Sequence, residues 1–393
     1  MLTSLIPLLR FRATARRLGT PLVLATLAIG LPAAQVPDIV WATNAHEYAV
    51  TAVAFAGNSA SLASASLDGT AQVWSATNAT RLRLIVADCT MEAVAFASNG
   101  TLLATGDSCG RTTLWRVGDG SKVWHLIDDQ RMINALAFSP SDEFVAAGLT
   151  LEGLNLIRTD FTDGYYLDCQ YGDVRGVAFS PDNSLLASAA TDKKARLWLM
   201  PAGTFSRSLH HSNKVNSVDF SPDGTLLATA CADGMARLWN VSAGTVARVI
   251  NGGGTTARFS ADGRLLLTVN EAGAIQVWRV ADGALLQTYP DTAAWALAVA
   301  PNGKYFAYGT ASGVVVLARM PLVVHPPALT NQQFRLEWQG GAGLYQLQQT
   351  TNLTSAVWQD VGAATTNLAA SLPTTNPATF YRIQSLSTVP LLP

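Results

Sequence analysis

The residues of this chain with catalytic or metal-binding potential are its five histidines and the acids and hydroxyls around them. His46-Glu47 begins like a zinc-protease motif, His210-His211 pairs two imidazoles, and His–Asp–hydroxyl sets occur as His46, Asp68, Ser64 and as His211, Asp233, Thr229. None completes a reactive pattern. No histidine follows His46-Glu47 at the metalloprotease spacing, the His210-His211 doublet falls in a connection, and a nucleophilic triad is not expected twice in one chain. A phosphate-binding glycine loop and a C-x-x-C pair are both absent, and His125 and His325 stand alone. The chain is expected to be non-enzymatic, with no catalytic residues, no cofactor and no metal.

The sets recur because the segments that hold them recur. Val50–Trp74 (VTAVAFAGNSASLASASLDGTAQVW), Val174–Trp198 (VRGVAFSPDNSLLASAATDKKARLW) and Val215–Trp239 (VNSVDFSPDGTLLATACADGMARLW) are copies, and Met91–Trp115 and Gly254–Trp278 are two more. Ile133–Arg158 and Ala294–Ala318 keep the strand pattern without the closing Trp. The period is about forty residues. In each copy Val50, Val53 and Phe55 open a first strand, Leu62–Ala65 form a second and Gln72–Trp74 a third; runs of small and apolar residues predict strands covered on both faces. Turns such as Ser221-Pro222-Asp223-Gly224 and Asp68-Gly69 supply the fixed and left-handed backbone angles that hairpins require. Fourth strands are expected at Arg81–Val86, Lys122–Leu126, Tyr165–Cys169, Phe205–Leu209, Val246–Ile250 and Leu285–Tyr289. The last copy lacks one of its own, and Asp38–Ala42 is left to pair with Val314–Arg319, which closes the sheet edges into a ring.

Over about 285 of the 393 residues the sequence resembles the WD-repeat family of β-propellers. The expected fold is an all-β, seven-bladed propeller closed by its N-terminal strand, over residues 37–320. The resemblance implies that each blade is tied internally by a His, a Ser or Thr, an Asp and a Trp. Two copies match throughout, with His46, Ser64, Asp68, Trp74 and with His211, Thr229, Asp233, Trp239; a third has Gln170 for the His, with Ser188, Asp192 and Trp198. In the second copy Cys109 takes the Asp slot and Cys89 lies two positions from the His slot, so family geometry suggests a Cys89–Cys109 disulfide in place of the His–Asp bond. Cys169 and Cys231 fall in different repeats and are expected unpaired. The missing Trp in copies three and seven marks blades held by packing alone.

The ends carry other signals. Arg10, Arg12, Arg16 and Arg17 precede the fourteen-residue apolar run Leu18–Leu31 and then Pro32-Ala33-Ala34, the layout of a signal peptide over residues 1–34. An uncleaved membrane anchor and a cytosolic chain are the alternatives, and the run is short of the roughly 20 residues of a spanning helix. Without that segment Lys+Arg falls from 26 to 22 against 27 acids, which suits neither DNA nor RNA. After the propeller, residues 321–330 read as a Pro-containing linker, 331–386 as a small β-sandwich and 387–393 as a tail. Asn352-Leu353 and Phe380-Tyr381-Arg382 resemble a C-terminal module of exported bacterial proteins.

The resulting expectation is a monomeric, exported scaffold, periplasmic, cell-surface or extracellular, that binds one or more proteins. Membrane contact would come only through an uncleaved N-terminal segment. Family geometry puts the binding face on the rim where inner strands begin, at Tyr48, Leu67, Met91, Arg131, Met132, Leu151, Tyr171, Arg175, Lys214, Glu271 and Trp295. A small-molecule or glycan sensor or hydrolase using the central channel is one alternative, for which the Val, Ala, Asn, Thr and Gly of the first strands offer little chemistry. A structural envelope component is the other.

Overall fold

A computed structural model of the chain describes residues 36–128, 131–151, 153–161, 164–167, 172–324, 328–330, 333–339, 345–350, 359–367, 369–373 and 380–385. Among them all regular structure is β. The chain divides at Ala318/Arg319 into two compact units.

The first unit is a propeller of seven four-stranded sheets. Blade one runs Val50–Phe55, Ser61–Ser66, Thr70–Ser75 and Arg81–Val86 from the axis outward. Each inner strand lies against the next, and the seventh, Ala294–Val299, against the first, so the ring closes. The clasp is the expected one. Ile39–Asn44 pairs with Val314–Arg319, with Trp41 opposite Leu317 and Asn44 opposite Val314. Four other outer strands differ slightly from expectation, as Lys122–Ile127, Gly164–Leu167, Thr204–His210 and Thr245–Asn251.

The core lies between blades. Ala63, Ala65 and Val73 of blade one pack with Met91, Val94, Phe96 and Leu103 of blade two, and Leu317 and Val315 of blade seven pack with Val50, Leu62 and Trp74 across the clasp. Because each sheet is covered on both faces, the second strands carry Leu-Ala-Ser-Ala runs instead of an alternating pattern. Six of the inner strands begin with a β-bulge, as between Val50 and Ala52 in blade one. A bulge adds local twist, and here the side chain within it lines the central channel: Thr51, Glu92, Asn134, Arg175, Asn216 and Trp295.

Blades three and seven lack the Trp for different reasons. In blade three Val145 pairs with Ile157, so Ile157 occupies the Trp place and Arg158 lies one residue beyond; Ala147 replaces the hydroxyl, and both polar partners are lost together. In blade seven Ala318 takes the Trp position while Tyr308, buried, takes the hydroxyl position and stacks on Phe306. Bulk has moved from the third strand to the second.

The second unit has two small antiparallel sheets. One contains Val323–Val324, Gln333–Gln339, Ala328–Thr330 and Ala369–Pro373; the other contains Gln359–Asp360, Tyr345–Thr350 and Phe380–Ser385. Trp338, Tyr345, Leu347 and Ile383 share one buried cluster. Asn352-Leu353 lies outside the described residues.

Candidate functional site

The His–Asp–hydroxyl sets lie inside the blades, with the hydroxyls of Ser64 and Thr229 fully buried. In blade one the Trp74 indole N–H donates to Ser64 Oγ at 3.0 Å, Ser64 Oγ is 2.8 Å from His46 Nε2, and His46 Nδ1 is 3.0 Å from the Asp68 carboxylate. The chain of donors places the imidazole proton on Nδ1. Burial holds His46 below its ordinary pKa against the pull of Asp68, and His46 is only 8% exposed. Asp68 is also held low: burial opposes ionisation, and the Thr70 hydroxyl and amide outweigh it.

Blade five departs from the expected tie. His211 Nε2 bonds Thr229 Oγ1 at 2.9 Å and Trp239 donates to the same oxygen at 3.0 Å, but His211 Nδ1 faces the Leu209 carbonyl and not Asp233. Asp233 is taken by Arg237, at 2.7 Å, and by the Ser212 hydroxyl. A charged guanidinium four residues along outcompetes a neutral ring for a carboxylate. Burial, followed by the Arg237 charge, pushes His211 down to about 4. Blade four repeats this arrangement. Asp192 pairs with Arg196, whose side chain is 3% exposed, and Trp198 donates to Ser188 Oγ at 3.1 Å, while Gln170 lies outside the described residues. Arg196 and Arg237 stand where blade one has Gln72, which donates instead to the Ala45 carbonyl.

Blade two has Cys89 and Cys109 at disulfide distance, with Cα atoms 6.0 Å apart. The turn there is not left without a carboxylate: Asp107, at the position of Ser66, accepts the amides of Cys109 and Arg111 at 3.0 and 2.9 Å. Asn270 does the same in blade six. Cys231 is free and buried; Cys169 lies outside the described residues. The pentapeptide Gly106-Asp107-Ser108-Cys109-Gly110 has G-x-S-x-G spacing. It occupies a turn between two strands with no helix after it, so it cannot form a nucleophile elbow.

On the rim, Leu151 is 67% exposed, Tyr48 60%, Trp295 58% and Leu67 38%. Arg175, Lys214 and Glu271 are exposed, and Arg131 and Met132 are half-buried. Arg131 lies over the Tyr166 ring at 5.0 Å, and Arg175 pairs with Asp173 at 3.1 Å. Met91 is corrected: it is 1% exposed, because the first residue of an inner strand points between blades and not to the rim. Tyr171 lies outside the described residues.

Inside the ring a cavity of about 160 Å³ is lined by the second, third and fourth residues of the inner strands and by Arg258. The channel carries more charge than the sequence reading allowed. Glu92 and Arg175 face it, and deeper, Asp219 accepts the Phe259 amide at 2.8 Å. Asp219 is enclosed by protein yet keeps a strip of surface; burial pushes its pKa up to about 6 against the Arg258 charge. The available signal was a position-by-position comparison. The fifth inner-strand residue is Ala54, Ala95, Ala137, Ala178 and Ala298 in five copies, and Asp219 and Arg258 in the other two.

The family model for the WD domain, G-beta repeat, matches residues 38–75, 164–198 and 203–240. Each matched segment starts on the outer strand of one blade and ends on the third strand of the next, the offset that makes a terminal clasp necessary. No curated protein matches the chain by sequence. Three matched repeats, and four further blades of the same strand order closed by the N-terminal strand, make this chain a member of the WD-repeat β-propeller family.

Proposed function

We propose that the chain is a non-catalytic protein-interaction scaffold, exported from a bacterial cell, whose partner docks on the rim around Trp295. The observation that carries this reading is the contrast between groups with chemical potential and groups that are free. The tie histidines His46 and His211 are hydrogen-bonded inside their blades, whereas Tyr48 and Leu151 stand exposed on loops and Trp295 on the bulge of an inner strand. Aromatic and Arg side chains are those on which binding energy concentrates. WD-repeat propellers commonly serve as interaction scaffolds. Export is supported by the N-terminal arginines and apolar run and by the cysteine pair at disulfide distance, since disulfides persist chiefly in oxidising compartments. The C-terminal unit would be a surface-attachment or sorting module.

The test is affinity capture from the native envelope fraction with the whole chain and with Trp295→Ala, Arg175→Ala, Tyr48→Ala combined. A specific partner retained by the first and lost by the second supports the face. Equal retention refutes it.

A further inference from the structure

We propose that Arg258 makes the upper channel a binding site for a small monocarboxylate. The site goes beyond the scaffold reading, since it lies inside the ring and needs no partner protein.

Arg258 lines the cavity from the strand position that holds alanine in five other blades and Asp219 in the remaining one. Its Nη1 donates to Ser217 Oγ at 2.7 Å, to the Ala257 carbonyl at 2.9 Å and to the Val218 carbonyl at 3.5 Å. These three acceptors hold the head in place but all use one nitrogen. Among the described residues, Nε and Nη2 have no protein acceptor, and the side chain lines the cavity. A guanidinium has five N–H donors, and those the protein leaves unmet are open to the water of the channel or to a guest. The neighbouring polar side chains do not compete for a ligand. Thr51, Asn134 and Asn216 each donate to a main-chain carbonyl of the next blade, of Met91, Val174 and Gly254 respectively. They pin blade to blade, so Arg258 is the group left to receive a guest.

Charge and volume select the guest. Arg258 and Arg175 are positive on the cavity wall and Glu92 is negative, with Arg175 already paired with Asp173 and Asp219 within electrostatic reach of Arg258. A phosphate, with about −1.5 to −2 charge at neutral pH, would face both Glu92 and nearby Asp219. A planar carboxylate matches the guanidinium fork with a single charge. The cavity of about 160 Å³ has the capacity of sites that hold a benzene-sized guest, well under the range for drug-sized or oligosaccharide ligands. The guest is therefore a carboxylate with a few carbons, either a free acid or the terminus of a chain entering past Trp295.

Isothermal titration calorimetry on the purified whole chain tests this. The probes are sodium butyrate, its neutral counterpart butyramide, inorganic phosphate, and a tripeptide with a free or an amidated C-terminus. Saturable butyrate binding, at least tenfold weaker with butyramide and at least tenfold weaker in Arg258→Gln, identifies a free acid as guest. Binding of only the free-terminus tripeptide, again lost in Arg258→Gln, identifies a chain terminus. No saturable binding of any carboxylate, equal binding of butyramide, tighter binding of phosphate, or unchanged affinity in Arg258→Gln each overturns the proposal and leaves Arg258 as a pin beside water. The butyramide comparison uses the unaltered protein and stands even if the variant misfolds. Failure here leaves partner capture on the rim untouched, so the two readings fail separately.

Discussion

Replacing Asp219 with Asn should stabilise the propeller at pH 8 and do little at pH 4. Asp219 is enclosed within the ring, and despite the Arg258 charge and the Phe259 N–H its pKa is raised from 3.8 to about 6. A carboxyl with a raised folded pKa holds its proton more tightly folded than unfolded, so protonation favours folding. The benefit is complete below the unfolded pKa and is lost as pH rises through about 6. At 1.36 kcal/mol per pH unit, the charged form costs about 3 kcal/mol at pH 8. Asn keeps an oxygen for the Phe259 amide and removes the charge. Urea unfolding followed by tryptophan fluorescence should give a variant more stable by about 3 kcal/mol at pH 8 and by less than about 1 kcal/mol at pH 4. A gain of equal size at both pH values, or a loss at pH 8, would refute the reasoning, because it would mean that ionised Asp219 is not the source of the cost.

Ser64→Ala strips the hydroxyl that joins Trp74 to His46 and leaves two buried polar groups unpaired, a loss of about 2–4 kcal/mol readable as a lower urea midpoint. Asp192→Ala leaves the buried Arg196 charge uncompensated and should cost about 3–5 kcal/mol, whereas Asp192→Ala with Arg196→Met recovers most of it; a single variant no worse than the double would refute the pairing. Alkylation of denatured, unreduced protein from an oxidising compartment should label Cys231 and spare Cys89 and Cys109, and Cys109→Ser should lower stability by about 3 kcal/mol. Labelling of both Cys89 and Cys109 would exclude the bridge. His211, pushed down to about 4 by burial, contributes stability that is complete above its ordinary 6.5 and is lost as pH falls through about 4. His211→Gln should accordingly flatten the acid limb of the stability profile between those values.

Most of the ring was legible because repetition averages out local ambiguity. A single Leu-Ala-Ser-Ala run fits a helix or a strand, but seven aligned segments of small and apolar residues, each followed by a hairpin turn and a Trp or its replacement, leave little choice. The clasp followed from counting outer strands, and the register bears it out. The degenerate copies were harder. Where Trp is missing, nothing in the sequence marks which residue faces Val145, and Ile157 was identified only through its partner strand.

The candidate site was less legible for a different reason. Assigning Met91 to the rim transferred a family position without asking which way the bulge turns each side chain; the first strand residue points between blades and the second into the channel. The blade-five tie was expected on the same basis, and Arg237 overrode it because a carboxylate prefers a guanidinium to a neutral imidazole. Asp219 and Arg258 were visible in the sequence as two departures from a column of alanines, but that Arg258 lines a cavity depended on the inner strands of the other blades that enclose it.

The sequence alone determined the β class, the number of blades and the need for a terminal clasp, because each is set by periodicity and residue type along the chain. The tertiary structure decided which carboxylate meets which cation, which strand residues reach the channel, and that Arg258 faces a cavity with donors to spare. The channel contacts join residues about forty apart and are fixed by the packing of one blade on the next, while the Asp192–Arg196 and Asp233–Arg237 pairs depend on the turn and strand geometry that brings each cation back to its carboxylate.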